Sequence, residues 1–278
     1  MEKTFGREVA GVFLRVVAVL LTFILILGIT DAWYRSDTIS DGFCNIGVLP
    51  IEGVILPYNG FEDYGLVTTP GMVRDFIASA EKDLGVDGLL LEINSPGGTP
   101  VAAEQISQMI RSTSLPTISL IGDIGASGGY LVAAGSNKII ASAMSDVGSI
   151  GVTMSYVENS KKNEKKGLTF VELSTGEFKD AGNPNKPLTD AEREKFEADL
   201  EIIHNEFVRQ VADLRGLSVE NVQELADGST MPGAKAVDAG LVDMVGNREI
   251  ARQEFANRLG IDSSDVVFCE YERSLLPF

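Results

Sequence analysis

Short apolar runs that end in glycine-rich turns constrain the fold of this chain most strongly. Residues 87–93 and 116–121 are such runs, and each is followed by a turn of small residues and then by a helix-like segment. Apolar runs of this length, bounded by turn residues, are typical of strands that are buried on both faces. Strands that alternate with helices form a largely parallel sheet with right-handed crossovers. The sequence therefore predicts an α/β fold.

The same alternation continues through the rest of the chain. Further strands are predicted over residues 47–56, 138–141, 149–154 and 170–173, and helices over residues 71–83, 101–112, 130–134 and 189–215. In the last helix, apolar residues recur every three or four positions, which predicts one buried stripe. The stripe consists of Phe196, Leu200, Ile203, Phe207, Val211 and Leu214. The polar segment 161–167 is predicted to be a solvated helix end or loop.

The charge balance and two scarce residue types exclude several classes of protein. The chain has 278 residues, with 23 Lys and Arg against 40 Asp and Glu, a formal net charge of −17. No nucleic-acid partner is expected, because an acidic chain repels phosphate. The single His argues against a Ser-His-Asp hydrolase and against a multi-His metal site. Two Cys cannot form a disulfide scaffold; Cys44 and Cys269 either pair outside the cytoplasm or are buried apolar residues.

An apolar run near the N-terminus predicts a membrane anchor. Residues 9–30 carry one charge, Arg15, and are long enough to cross the bilayer core as a helix. Basic residues precede the run and mostly acidic residues follow it, which predicts a cytoplasmic N-terminus. Residues 1–30 are then a cytoplasmic tip with its transmembrane anchor, and residues 31–278 are an extracytoplasmic domain. A cleaved signal peptide is the alternative.

The two glycine-rich turns, residues 94–98 and 122–130, are the candidate site. In parallel α/β sheets, ligands bind where such turns follow the carboxyl ends of strands. A phosphate cradle is one interpretation, although neither turn has the lysine of a P-loop or a full dinucleotide fingerprint. Acyl transfer is the other: Ser127 lies between small residues at a helix start, and the N–H of Gly128 with one from Gly97 or Gly98 would stabilise an oxyanion. Ser127 is also a reasonable helix-capping serine.

A nucleophilic serine needs a general base. His204, the single histidine, flanks the stripe of the 189–215 helix and is expected to be a surface or packing residue. A lysine acts as a base only when neutral, a state that burial favours. Lys179 lies between two turn glycines after a predicted strand, but the adjacent Asp180 would favour its charged form. An ordinary loop lysine remains the alternative.

Five motifs, in order, resemble one family. They are NSPGG at 94–98, ASGGY at 126–130, GSIGV at 148–152, GEFKDAGNP at 176–184 and MPGAKAVDAGLVD at 231–243. Together they resemble the short form of the signal peptide peptidase A family, membrane-anchored serine proteases with a Ser-Lys dyad. The resemblance runs from about residue 46 to residue 245. It implies a Clp protease/crotonase-like α/β fold with repeated ββα units.

The resemblance also implies residue roles. Ser127 falls on the nucleophile, Lys179 on the general base, Ser149 on the serine that orients the lysine, and Gly98 and Gly128 on the oxyanion-hole donors. No metal or cofactor is implied. The expected substrates are cleaved signal peptides and other short or unfolded chains, and the expected assembly is a homo-oligomeric ring in which adjacent protomers share each site. A crotonase-like acyl-CoA hydratase or hydrolase, and a catalytically silent assembly protein, are the alternatives.

Overall fold

Nine strands form one sheet in the part of the chain that the computed structural model describes, residues 15–25, 39–58 and 65–270. The strands are β1 Ile46–Ile55, β2 Val67–Thr68, β3 Gly88–Gly98, β4 Thr117–Ala126, β5 Lys138–Ala141, β6 Asp146–Gly148, β7 Thr230–Pro232, β8 Met244–Val245 and β9 Phe268–Cys269. The helices are α1 (residues 15–25), α2 Pro70–Lys82, α3 Pro100–Ser112, α4 Gly128–Ala134, α5 Ser160–Lys165, α6 Asp190–Arg215, α7 Val219–Leu225, α8 Gly233–Asp238 and α9 Arg248–Leu259, with a 3-10 turn at Ser263–Asp265.

The sheet is parallel, as predicted, except for one strand pair. Its main order is β2-β1-β3-β4-β5-β8, with β6 beside β4, β7 beside β6 and β9 beside β1. Only the β6–β7 pair is antiparallel among the described pairs. The α/β class with a mostly parallel sheet is therefore confirmed.

The long strands bend and change partners along their length. The first half of β4, residues 118–121, pairs with β5, whereas residues 124–126 pair with β6. The β1–β3 and β3–β4 pairings likewise shift register after residues 52 and 93. Each long strand thus pairs differently in its two halves, and β3 and β4 are each followed directly by a helix. The predicted turn at residues 94–98 is consequently wrong: these residues continue β3, because β1 and β4 provide partners for them.

Helices cover both faces of the sheet. Alternating residues of β3 separate the two cores: Leu89, Leu91 and Ile93 pack with α2, α3 and α4, whereas Leu90 packs against α9 through Phe255. All seven residues of α4 are buried. This helix is therefore held on every side, which fixes the residue that precedes it.

The long helix α6 has the predicted extent but buries only part of its stripe. Thr189 and Glu192 form a reciprocal capping box, and Gly216 ends the helix in the left-handed conformation. Phe207 and Val211 are buried, whereas Ile203 is exposed and Phe196, Leu200 and Leu214 are half-buried. The prediction of one continuous buried stripe is wrong, because only the part of the helix from Phe207 to Ala212 joins the hydrophobic core with full burial.

A segment between β6 and α6 projects from the body. We call residues 151–189 the Lys179 arm; apart from the short helix α5, it has little regular structure, and none of its residues is fully buried. The predicted strands at 149–154 and 170–173 are both wrong. Residues 149–154 do not form a strand: β6 ends at Gly148, because the backbone of Ser149 is left-handed, with φ of 51°. Residues 170–173 have no partner strand among the described residues. The predicted solvated helix end at 161–167 is confirmed by α5, which buries no side chain.

Both ends of the described body are tied to β1. A disulfide joins Cys44 to Cys269, with the two Cα atoms 5.1 Å apart, so the paired alternative is the one found. Half of the predicted anchor (residues 9–14 and 26–30) and the tail 271–278 lie outside the described residues. Within the described ranges, no helix is both long and apolar enough to span a bilayer.

Candidate functional site

Ser127 occupies a sharp turn between β4 and α4. Its backbone has φ of 52° and ψ of −125°, a conformation that residues with a side chain rarely adopt. The Ser127 N–H donates to the Gly148 carbonyl oxygen at 2.7 Å, which fixes the turn against β6. The hydroxyl makes no capping hydrogen bond to α4. The helix-capping interpretation of Ser127 is therefore wrong, and its hydroxyl is available for chemistry.

Ser149 lies at the carboxyl end of the neighbouring parallel strand. Within the described ranges, Ser127 and Ser149 are the two residues other than glycine with positive φ. The Ser149 N–H donates to the Ser229 carbonyl oxygen at 2.9 Å, and Ser149 Oγ donates to the Gly228 carbonyl oxygen at 2.8 Å. Because Ala126 pairs with Gly148 in the sheet, the two serines follow adjacent strand ends. The structure therefore places Ser127 and Ser149 side by side at one edge of the sheet.

The glycines of the two motifs are packed against each other beside Ser127. A Cβ atom on Gly97 would lie 2.7 Å from the Gly128 nitrogen and 2.9 Å from Ser127 Cβ. A Cβ atom on Gly128 would lie 3.4 Å from the Gly98 nitrogen. These contacts leave no room for side chains, so the backbones approach closely. Gly128 is also the first residue of α4, where N–H groups have no partner within the helix.

Two cavities flank Ser127. The first, of about 540 Å³, lies beside Gly98 and Gly128. Its wall is largely apolar and includes Val101, Leu131, Val152, Ile202, Ile203 and Phe207. The second, of about 450 Å³, is lined by Ser149, His204 and Asp227 as well as Ser127. A peptide chain that crosses Ser127 would therefore have an apolar space on one side and a polar one on the other.

Sequence reasoning missed two residues of the polar cavity. His204 is half-buried in its wall, with Nε2 3.3 Å from Gln223 Nε2. The carboxylate of Asp227 accepts hydrogen bonds from the Ser229 hydroxyl and N–H, which hold the pKa of Asp227 below its usual range. No motif marked either residue, because tertiary packing brings them to Ser127: His204 comes from α6, and Asp227 from the turn whose carbonyl groups accept from Ser149.

A charged side chain also borders the apolar cavity. Glu206 accepts hydrogen bonds from Arg209 and Gln210, which lower its pKa to about 2. Gln210 Nε2 also donates to Glu104 Oε1 at 2.8 Å. The Glu206 carboxylate is therefore negatively charged at neutral pH. Among the described residues, no group of His, Cys, Asp and Glu is arranged to hold a metal ion.

Lys179 stands apart from the other predicted site residues. It lies on an exposed turn of the Lys179 arm and lines neither cavity. Asp180 does not pair with it: Asp180 accepts from Asn183 at 3.0 Å and lies 3.9 Å from Lys186. The structure thus brings together Ser127, Ser149, Gly98 and Gly128, and leaves Lys179 outside that group.

Lys186 fastens the base of the Lys179 arm to α6. Its ammonium lies 2.8 Å from Glu172 and 3.0 Å from Glu192. Hydrogen bonds to these two carboxylates raise the pKa of Lys186. The hydrogen bond from Lys186 lowers the pKa of Glu172, and bonds from the Thr189 N–H and from Lys186 lower that of Glu192. The arm is therefore attached chiefly by charge, whereas the turn at Ser127 is embedded in the core.

Comparison with known proteins places the chain in a family. The model of peptidase family S49 matches residues 109–262, more than half of the 278 residues. The chain belongs to peptidase family S49. The matched segment contains Ser127, Ser149 and Lys179. The resemblance to the signal peptide peptidase A family is thereby confirmed.

Relatives with related names match most of this chain. A candidate protease of Methanocaldococcus jannaschii is 33% identical over 189 residues, which are 67% of this chain and 61% of that protein. A candidate signal peptide peptidase of Enterococcus faecium is 33% identical over 201 residues, 71% of this chain and 58% of that protein. The chloroplast serine protease of Arabidopsis thaliana is 30% identical over 191 residues, 66% of this chain and 28% of that protein. The chain thus spans less than two thirds of the length of these relatives.

A solved structure shares the fold. A mutant of a membrane-bound stomatin-specific protease superposes with a TM-score of 0.54 at 16% identity, covering 83% of this chain and 94% of the other. At this level of identity, the likeness concerns the fold alone. It agrees with the α/β architecture derived above from strand order and register.

Proposed function

We propose that the protein is a serine endopeptidase that uses a Ser-Lys dyad. The observation that carries the proposal is the strained turn at Ser127, which presents its hydroxyl between an apolar cavity and two closely packed glycine backbones. A strained residue at the carboxyl end of a strand is typical of an activated nucleophile. Membership of a peptidase family makes peptide bonds the expected substrate.

The proposed reaction needs no group beyond the chain and water. The neutral amine of Lys179 accepts the proton of Ser127 Oγ, and the oxygen attacks the peptide carbonyl carbon. The N–H groups of Gly98 and Gly128 stabilise the tetrahedral oxyanion, a contribution of about 3–4 kcal/mol for each donor. The lysine then gives its proton to the leaving amine, and water hydrolyses the acyl-enzyme.

In this proposal, Lys179 reaches Ser127 of a neighbouring copy in a homo-oligomeric ring. Within one chain Lys179 lines neither cavity, so a monomer has no complete site. The Lys179 arm exposes large apolar side chains, including Leu173 at 95%, Val157 at 77% and Val171 at 72%. On α6, Ile202 is 68% exposed at the cavity edge. Exposed apolar surface of this extent is typical of a protein interface.

The proposed location is the outer side of a membrane. Residues 1–30 would provide the cytoplasmic tip and the anchor, and residues 31–278 the extracytoplasmic peptidase domain. The Cys44–Cys269 disulfide supports this location, because disulfides persist in oxidising compartments. The proposed substrates are cleaved signal peptides and other short or unfolded chains, whose apolar side chains suit the cavity beside Ser127.

The test uses the full-length protein as wild type, S127A and K179A, with cleavage of a fluorogenic peptide carrying an apolar residue before the scissile bond. We expect both variants to be inactive and a mixture of the two to regain activity after subunit exchange, because a mixed assembly combines an intact Ser127 with an intact Lys179. K161A, in the solvated helix α5, is the matched control and should cleave like the wild type.

Other outcomes would overturn parts of the proposal. Wild-type activity in K179A combined with loss of activity in H204A would assign the base to His204 instead. Two inactive variants that exchange subunits but never complement each other would leave the dyad standing and reject the shared site. Hydrolysis of acyl-CoA thioesters without peptide cleavage would favour a crotonase-like enzyme, and an assembled oligomer that turns over neither substrate would favour an assembly protein.

A further inference from the structure

A single turn holds Ser149 by both its backbone and its side chain. The carbonyl oxygen of Ser229 accepts from the Ser149 N–H at 2.9 Å, and that of Gly228 accepts from Ser149 Oγ at 2.8 Å. The turn therefore supports the left-handed backbone of Ser149 and sets the direction of its hydroxyl hydrogen.

This direction decides what the Ser149 hydroxyl can do in the polar cavity. A hydroxyl has one hydrogen, and that of Ser149 is directed at Gly228. Toward the cavity, Ser149 can therefore only accept a hydrogen bond. A neutral lysine amine has two hydrogens and one lone pair, so an amine that donates to Ser149 keeps its lone pair for the proton of Ser127.

Asp227 closes the turn that fixes this arrangement. Its Oδ1 atom accepts from the Ser229 N–H at 2.8 Å and from the Ser229 hydroxyl at 2.6 Å. Asparagine and aspartate commonly stabilise turns through such bonds to the residue two positions on. Asp227 also lines the polar cavity with Ser127 and Ser149.

We propose that Asp227 is a positioning residue for the general base. Its turn fixes the carbonyl group that orients the Ser149 hydroxyl, and its charge lies in the cavity where the base loses its proton. The inference rests on the proposed Ser-Lys function and names a residue that acts through Ser149. In this proposal, the hydrogen bonds to Oδ1 hold Ser149 in position, and the negative charge of Asp227 affects the pH dependence of activity.

The charge has a predictable direction of effect. A carboxylate near the base favours the protonated, inactive lysine, so higher pH is needed for activity. The groups that face Asp227 are Lys235 on α8, Ser229 in the turn, and His204 across the cavity. The bonds from Ser229 hold the pKa of Asp227 below its usual range, so its charge is constant over the pH range of the assay.

Two substitutions separate geometry from charge in the full-length protein. D227A removes the Oδ1 acceptor and should lower kcat roughly 10- to 100-fold, with little change in KM, because the base is misplaced. D227N retains the acceptor and removes the charge. It should keep the plateau kcat within about threefold and move the acid limb of the pH–rate profile down by roughly half a pH unit or more.

Control variants test whether the effects arise in the polar cavity or elsewhere in the molecule. D238N removes an exposed carboxylate at the end of α8 and should leave both kcat and the pH profile unchanged. Repeating the series with H204Q removes the imidazole that lines the same cavity as Asp227. Melting temperature and oligomeric state identify any variant that fails to fold. In that case S229A, which removes one of the two donors to Asp227, should show a smaller fall in kcat in the same direction.

The result that overturns the inference differs from the one that overturns the dyad. Wild-type kcat and pH profile in folded D227A, or in S229A where D227A does not fold, would show that the turn positions nothing. Equal losses in D227A and D227N, with no shift of the profile, would reject the division between geometry and charge. A fully active K179A variant would instead reject the Ser-Lys dyad, whatever the activity of the Asp227 variants.

Discussion

The turn at Ser127 and the Lys179 arm are built in opposite ways. The turn is surrounded by buried elements: α4 is buried throughout, and a Cβ atom on Gly97 or Gly98 would collide with neighbouring backbone. The arm has no fully buried residue and is attached chiefly through the ion pairs of Lys186. A nucleophile needs a fixed geometry, whereas a segment that completes a site in another copy needs exposed surface. The two halves of the proposed dyad should therefore respond differently to mutation and pH.

The largest expected effect tests the strained turn. S127A should reduce kcat/KM by at least about 10³-fold, because the nucleophile is lost. S127G should be equally inactive, yet its free energy of unfolding should rise by about 1 kcal/mol, since glycine relieves the strain at φ of 52°. Peptide cleavage and denaturant unfolding measure the two effects. An S127G protein less stable than S127A would contradict the claim that the backbone is strained.

The second effect compares glycines of the two regions. G98A would place a Cβ atom 1.9 Å from the Ile55 carbonyl oxygen, and we expect a loss of stability of more than about 2 kcal/mol together with loss of activity. G176A, in the Lys179 arm, brings its Cβ no nearer than 3.9 Å to Lys179 Cβ. It should leave stability within about 0.5 kcal/mol. Chemical denaturation of both variants measures these changes. Equal losses of stability in G98A and G176A would show that the two regions do not differ in their tolerance of an added side chain.

The third effect concerns the attachment of the arm. K186M keeps most of the side-chain volume but leaves Glu172 and Glu192 without their shared cation. Limited proteolysis within residues 151–189 should become several times faster, while the melting temperature of the body changes little. K195M, which breaks an exposed pair with Asp199 on α6, is the matched control. A K186M arm as resistant as the wild type would show that packing, and not charge, holds it.

The smallest effect is the pH dependence of the ion pairs that attach the arm. Hydrogen bonds lower the pKa values of Glu172 and Glu192 from 4.5, so the stability that these carboxylates contribute is fully present above that pH. It is lost as the pH falls through their lowered folded-state pKa values. Proteolysis of the arm should therefore accelerate on acidification below about pH 4.5, before the body unfolds. If the arm and the body unfold at the same pH, the two regions form one cooperative unit.

Much of the fold was predictable because it rests on local pattern. The strands β1 and β5 and the helices α2, α3 and α6 lie within a few residues of their predicted positions, since apolar periodicity and caps such as Thr189 act locally. The strands β3 and β4 run on through residues that the local sequence predicts to be turns. The predictions of secondary structure failed where pairing between distant strands determines the structure. The NSPGG motif looks like a turn, yet β1 and β4 draw it into a strand, and residues 170–173 look like a strand but have no described partner.

The candidate site likewise combines features that the local sequence predicts with features that depend on long-range packing. The sequence by itself determined the residue types and their order: Ser127 among small residues, glycines able to approach it, and a lysine after Ser149. Only the tertiary structure decided that Ser127 and Ser149 are both strained, that His204 and Asp227 share their cavity, and that Lys179 lies outside it. The physical reason is that backbone conformation and cavity walls are set by which strand ends and helices meet in space. Residues 79 positions apart in the chain, such as Ser149 and Gly228, leave no local signal of that meeting.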